Sequence, residues 1–207
     1  NDYYPDNHEP EMISYMAFEE GIHSLFNNTL TVQAGKITGT KEWQSINYTS
    51  PFSEGQIPVV FSQCLSFHHL DDYSLCTRQQ NVTHEGLEVK LQPRHDLASD
   101  TTITLSEAVG WIAYEKEYSP AAGMRFEVFT TPHLVDSNSY TLAFTNTYIQ
   151  PPFFLAAMQT YNGSEVSVIR AQNLSTEAVQ IFIEETPATQ DNGHADESIG
   201  YICIELE

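Results

Sequence analysis

Apolar and polar residues alternate with a period of two through much of the chain, as in "LEVKL" at residues 87–91 and "VQIFI" at residues 179–183. That period belongs to strands with one buried face. Turn formers separate such runs, "HEG" at His84 and "NGS" at Asn162 among them, and no amphipathic stretch carries helix caps. A second pattern occurs three times: "EMISYMAFE" at residues 11–19, "EAVGWIAYE" at 107–115 and "ESIGYICIE" at 197–205. Each copy is apolar at both odd and even positions between two glutamates, which predicts a strand buried on two faces. In the first copy Ile13, Tyr15 and Ala17 fall on one face, and Met12, Met16 and Phe18 on the other.

The repetition extends beyond this motif. "RQQNVTHEGLEVKLQ" from Arg78 aligns without a gap on "RAQNLSTEAVQIFIE" from Arg170, and "IPVVFSQCLSF" from Ile57 matches "PPFFLAAMQTY" from Pro151. The expectation is an all-β chain of two tandem, homologous antiparallel β-sandwiches of immunoglobulin-like kind, at residues 30–116 and 117–207. An N-terminal strand and connector, residues 1–29, precede them. The motif closes each sandwich, but its first copy has no body to close. Such a strand has to join a sheet, because its unpaired backbone groups invite aggregation. The connector at residues 21–29 is long enough to fold it back. Alternatively it adds to another copy through Met12, Ile13, Tyr15, Met16 and Phe18, a heterologous contact that propagates into a ring or filament. The same pattern also fits the last strand of an upstream repeat in a longer array.

Charge narrows the partners. Asp and Glu number 28 against 8 Lys and Arg, a net of −20, which disfavours nucleic acid and anionic membrane. No apolar run is long enough to predict membrane insertion, and no leader peptide is recognised, so a soluble, mature or trimmed chain is expected. Five of the asparagines, Asn27, Asn47, Asn81, Asn162 and Asn173, begin Asn-X-Ser/Thr and are candidate glycan acceptors, pointing to an extracellular or cell-surface location. Cys64 and Cys76, twelve residues apart across an expected hairpin, are positioned for a cross-strand disulfide; Cys203 takes the place of Ala17 and Ala113 and reads as a small buried thiol.

Catalytic signals are missing: there is no nucleophile elbow, phosphate-cradling loop or zinc-binding helix, and no enzyme is expected. "FHHLDD" at residues 67–72 groups His68, His69, Asp71 and Asp72, but adjacent histidines on a strand face opposite ways. His8 with Glu11, and His194 with Glu197, are read as structural hydrogen bonds, with calcium as the minor alternative and no other cofactor besides covalent glycans. Trp43, Arg78 and Arg170 are the candidate sugar contacts, set against core packing for Trp111 and ion pairing for the arginines.

The first body, with "GKITGTKEWQSINYTSPF" from Gly35, then "PVV" and a strand ending "WIAYE", resembles the H-type lectin domain. The second, with "QTYNGSEVSVIRAQN" and "HADESIGYICIE", is similar to a repeat found in tandem in secreted microbial and protist surface proteins. The overall plan resembles the protomer of helical extracellular glycofibrils from freshwater microbes. The resemblance implies a structural subunit that polymerises with itself by strand donation beneath a glycan sheath, or, through the lectin likeness, a carbohydrate-binding module of a larger secreted protein.

Overall fold

The computed structural model describes residues 14–25, 30–66, 68, 75–93, 106–119, 124–185 and 193–206. Among them are fourteen strands and no helix: β1 (Gly21–Leu25), β2 (Leu30–Gly39), β3 (Gln44–Asn47), β4 (Val59–Cys64), β5 (Leu75–Gln80), β6 (Gly86–Pro93), β7 (Glu107–Tyr114), β8 (Glu117–Ser119), β9 (Met124–Thr130), β10 (Tyr140–Ala143), β11 (Phe153–Met158), β12 (Ser167–Gln172), β13 (Ala178–Glu185) and β14 (Ile199–Leu206). The chain is all-β. Its strands form four antiparallel sheets with orders β1-β2-β7-β4, β3-β6-β5, β11-β14-β9-β8 and β10-β13-β12. The first two sheets use residues up to Tyr114, the other two residues from Glu117 onward.

The two later copies of the repeated motif become β7 and β14, and each lies in the middle of its four-stranded sheet. β7 is hydrogen-bonded to β2 and β4, β14 to β9 and β11. Central position and double burial explain why both faces are apolar. Val109, Trp111 and Ala113 point into a core with Ile46, Leu87 and Val89 from the facing sheet. Ile199, Tyr201 and Cys203 do the same with Val179, Ile181 and Ile183. The opposite face of both strands meets a third cluster, in which Leu30, Val32, Val59 and Tyr114 pack against Phe126, Val128 and Ile202. Ile112, Phe61, Leu155 and Ile204 border it. Equivalent positions of the repeat therefore supply both sides of the seam between the two halves. Val32 lies opposite Tyr114 as Phe126 lies opposite Ile204.

Glycines on these strands mark close approach. A methyl at Gly200 would lie 2.6 Å from Val59 and from the Gln159 amide, and one at Gly110 would lie 2.6 Å from Leu65.

The first copy of the motif behaves differently from expectation. Met12 and Ile13 lie outside the described residues, and residues 14–19 form no strand. The pairing segment is instead the connector, where β1 lies antiparallel to β2 from Gly21↔Ala34 to Leu25↔Leu30. The reason is stoichiometric: a strand of this pattern needs a neighbour on each side, and β7 and β14 already occupy both central places. What remains is the β2 edge, which β1 takes.

Candidate functional site

Three of the glutamates that bracket the β7 and β14 copies, Glu107, Glu197 and Glu205, clasp loops. Ser66 Oγ donates to Glu107 Oε2 (2.5 Å), the His68 amide to Glu107 Oε1 (2.8 Å), and the Ala108 amide to Ser66 Oγ (2.7 Å). The wiring recurs at Glu197: Thr160 Oγ1 donates to Oε2, the Asn162 amide to Oε1 (2.8 Å), and the Ser198 amide to Thr160 Oγ1 (2.9 Å). At the other end, Glu205 accepts the amides of Ile149 and Gln150 (2.9 and 2.7 Å) and the Arg125 guanidinium (2.9 Å). Loop amides turned inward have no water to bind, so a buried carboxylate satisfies them.

Between the halves the densest polar grouping surrounds Arg78, which is only 1% exposed. From β5 it donates across the seam to the carbonyls of Gly163 (3.2 Å) and Glu165 (2.9 Å), to Ser167 Oγ (3.2 Å) and to Glu197 Oε1 (3.2 Å). His194 lies behind, its Nδ1 3.0 Å from Glu185 and its Nε2 3.4 Å from Glu197. Burial opposes the imidazolium, but the two carboxylates outweigh it and raise the His194 pKa. Burial likewise opposes charge on Glu197, and donation from His194, Thr160, Gly163 and Asn162 prevails to hold its carboxyl below the ordinary range. The expected His194–Glu197 hydrogen bond is thus in place. Glu165, Glu185 and His194 bring potential ligand atoms within 4.8 Å of one another. Both His194 nitrogens already face carboxylates, and Arg78 supplies the compensating positive charge. His8, Glu11, His69, Asp71 and Asp72 lie outside the described residues.

Two further contacts join the halves. Gln159 accepts the Val60 amide (2.9 Å) and donates to the Val60 carbonyl (2.8 Å), filling the ladder position that edge strand β4 leaves open. Lys90 Nζ sits 4.6 Å from the Trp43 ring centre and 4.2 Å from that of Tyr161, and donates to the Tyr161 hydroxyl (2.9 Å). Neither Gln159, Lys90 nor Tyr161 stands out by residue type. The one available signal was Gly200, a glycine in a central strand that implies something packed close above it.

Two sequence expectations are corrected by the structure, the Arg78 sugar contact and the Cys64–Cys76 disulfide. Arg78 cannot touch a sugar, because its guanidinium is buried in the seam; Arg170, at the equivalent repeat position, forms an exposed ion pair with Glu184 (2.5 Å). Trp43 is half-buried, with Tyr161 edge-on to its ring and Lys90 over it, while Trp111 is core as expected, at 6% exposure. Cys64 and Cys76 are free thiols. Their strands do not form a hairpin: β4 belongs to the four-stranded sheet and β5 to the facing three-stranded one, and each sulfur donates to a carbonyl, of Ser66 and Gln92 respectively. Cys203 is fully buried, as its small-residue position required.

The sequons sort by geometry. Asn81 and Asn173 adopt positive φ, 49° and 53°, a region that asparagine tolerates better than most residues. Their amide nitrogens donate to Glu88 (2.8 Å) and Gln180 (2.7 Å). Thr83 and Ser175, which complete the two sequons, cap the same turns by accepting the amides of Gly86 (3.2 Å) and Ala178 (3.0 Å). The β5–β6 and β12–β13 turns therefore call for Asn-X-Ser/Thr on backbone grounds alone. Asn162 donates to the Asp196 carbonyl (2.7 Å), whereas Asn47, exposed at the end of β3, makes no side-chain hydrogen bond among the described residues. Asn27 lies outside them.

Residues 14–19 lie over the rim of the seam. Met16 and Phe18 pack on its cluster, with the Tyr114 hydroxyl against the Met16 sulfur and the Phe18 ring edge-on to Tyr114 at 6.0 Å. Tyr15 points away and is 82% exposed. Beside it runs a groove of about 400 Å³ lined by Tyr15, Met16, Pro151, Phe153 and Ile204.

Over 200 residues, 96% of its length, the chain is 31% identical to halomucin of Haloquadratum walsbyi, and it spans only 2% of that protein. No protein-family model matches the chain, and no solved structure matches it.

Proposed function

We propose that the chain is a structural, non-catalytic subunit of an extracellular assembly, joined head to tail to neighbouring copies through residues 11–19, with N-glycans on its lateral surface. One observation carries the reading. Tyr15 is 82% exposed, while the residues at its place in the other two copies, Trp111 and Tyr201, are 6% and 4% exposed. An apolar strand face that is core twice and bare once is a contact waiting for a second surface. Similarity to halomucin, a surface protein, fits an extracellular structural role. No helix among the described residues is long and apolar enough to cross a membrane. The net charge of −20 would keep separate assemblies from bundling. The carbohydrate-binding alternative has lost Arg78 to the seam and retains only Arg170 and the half-covered Trp43. Deleting residues 1–20 and imaging the purified chain by negative-stain electron microscopy tests the proposal. The full chain should form filaments and the truncated one dispersed particles; filaments from both would show that this segment is not the joint.

A further inference from the structure

The polar join between the two halves brings together unlike faces. The first half offers its β4 edge and the outer face of β5 and β6: the Val60 backbone takes both hydrogen bonds of the Gln159 amide, Arg78 reaches the Gly163 and Glu165 carbonyls and Glu197, and Gln92 donates to the Ser164 carbonyl (2.6 Å). The second half offers the end of its sandwich where Gln159 lies over Gly200 and Glu197 gathers its loop. A contact of this kind between two homologous bodies leaves one face of each type unused.

Both unused faces are present on every copy of the chain. On the second half the counterparts of Val60, Arg78, Gln79 and Gln92 are Phe154, Arg170, Ala171 and Glu184. The first four are buried, whereas Phe154 is half-buried and the other three are exposed. On the first half the counterpart of Gln159 is Leu65. Leu65 donates its amide to the Ala108 carbonyl (2.7 Å) as Gln159 does to that of Ser198 (2.8 Å), and each side chain lies over the glycine of its central strand, Gly110 or Gly200. Gln159 is 6% exposed and Leu65 61%. The residue exchanges on the two open faces also run in one direction. Gln159, which hydrogen-bonds, is replaced by Leu65, and Lys90, which donates to Tyr161, is replaced by Phe182 beside Arg170. An aliphatic group bared on one face and an aromatic ring on the other suit a contact that excludes water.

Resting on the head-to-tail assembly proposed above, we infer that the joint between copies repeats the internal one: the β11 edge and the outer face of β12 and β13 of one copy dock on the Leu65 end of the first half of the next. Leu65 packs on the β11 edge at Phe154, where Gln159 meets Val60 within the chain, and Arg170 approaches the Glu107 end as Arg78 approaches that of Glu197. Tyr15 borders the docking face, because it shares a groove with Phe153, the counterpart of the buried Val59. Each copy carries one face of each kind, so the contact propagates from copy to copy.

Two full-length variants test this by complementation. Leu65→Glu spoils the receiving face and leaves the docking face intact, and Arg170→Glu does the reverse. Both positions are exposed, so each variant should keep the circular dichroism of the parent. In sedimentation velocity the parent should self-associate, and each variant alone should do so at least about tenfold more weakly. An equimolar mixture of the two should form a capped one-to-one dimer, since one intact face of each kind remains. A mixture without dimers overturns the inference, as do variants that assemble like the parent or a parent that stays monomeric. Repeating the mixture with chains lacking residues 1–20 separates this inference from the functional proposal. A dimer that survives the truncation shows that the faces named here suffice and that residues 11–19 are not the joint; a dimer lost only on truncation supports both.

Discussion

The two halves of the chain put the same residue to opposite uses. Arg78 and Arg170 occupy equivalent places in aligned strands, yet Arg78 is buried among the Gly163 and Glu165 carbonyls and Glu197, while Arg170 pairs with Glu184 in the open. The strand framework is common to both. What differs is that the N-terminal half has the 160–167 loop of its neighbour over β5, whereas β12 faces solvent. A second pair carries the same lesson. Gln33 is buried and exchanges two hydrogen bonds with the Ser50 backbone; its counterpart Glu127, equally buried, accepts the Thr145 and Asn146 amides. Burial pushes the Glu127 carboxyl above the usual range against the pull of those amides. One half solves the position with a neutral amide, the other with a carboxyl that burial makes harder to ionise than in water.

The arginine pair offers the largest contrast. Arg78→Met removes the cationic partner of a buried carboxylate and strands several acceptors, so a loss of about 3 kcal/mol is expected in chemical denaturation. Arg170→Met should cost no more than about 0.5 kcal/mol, since exposed ion pairs contribute little. Equal effects would mean that the seam does not need its arginine.

The glutamine and glutamate pair predicts a smaller, pH-dependent difference. A carboxyl whose folded pKa is raised contributes stability in full below its unfolded value, about 4.3, and loses it as pH climbs through the folded value. Glu127→Gln should therefore exceed the parent by about 1 kcal/mol at pH 8 and converge with it near pH 4. Gln33→Glu should do the reverse, destabilising by about 2 kcal/mol at pH 8. Parallel pH profiles for parent and Glu127→Gln in thermal melts would show that Glu127 stays ionised in the folded chain.

The sequon turns give the smallest effect. Asn81→Ala and Asn173→Ala should each cost about 1 kcal/mol in protein that carries no glycan, and Gly at either position should be nearly neutral, because the left-handed backbone and not the sugar selects the residue. Peptide mapping of secreted material should find Asn47 occupied more fully than either turn asparagine. A reversed order would restore glycosylation as the reason these two sequons coincide.

Much of the architecture was legible in the chain. Period-two alternation announced strands, and "EAVGWIAYE" and "ESIGYICIE" announced double burial, because a strand between two neighbours and two packed layers must be apolar at every position. The fate of "EMISYMAFE" was not legible. Its pattern is that of β7 and β14, but a pattern states what a strand needs and not whether the place is vacant, and both places were taken. The cysteines misled for a related reason: twelve residues fit a hairpin as well as a crossover between sheets, and only the packed layers distinguish them. Arg78 was hardest to read, because its partner Glu197 lies 119 positions away. The sequence by itself determined the strands, their faces and the double burial of the repeated motif, since these follow from local alternation and backbone hydrogen bonding. Tertiary structure alone decided which arginine is buried, which asparagines form turns, and that Tyr15 is left bare, since burial depends on what the rest of the chain brings alongside.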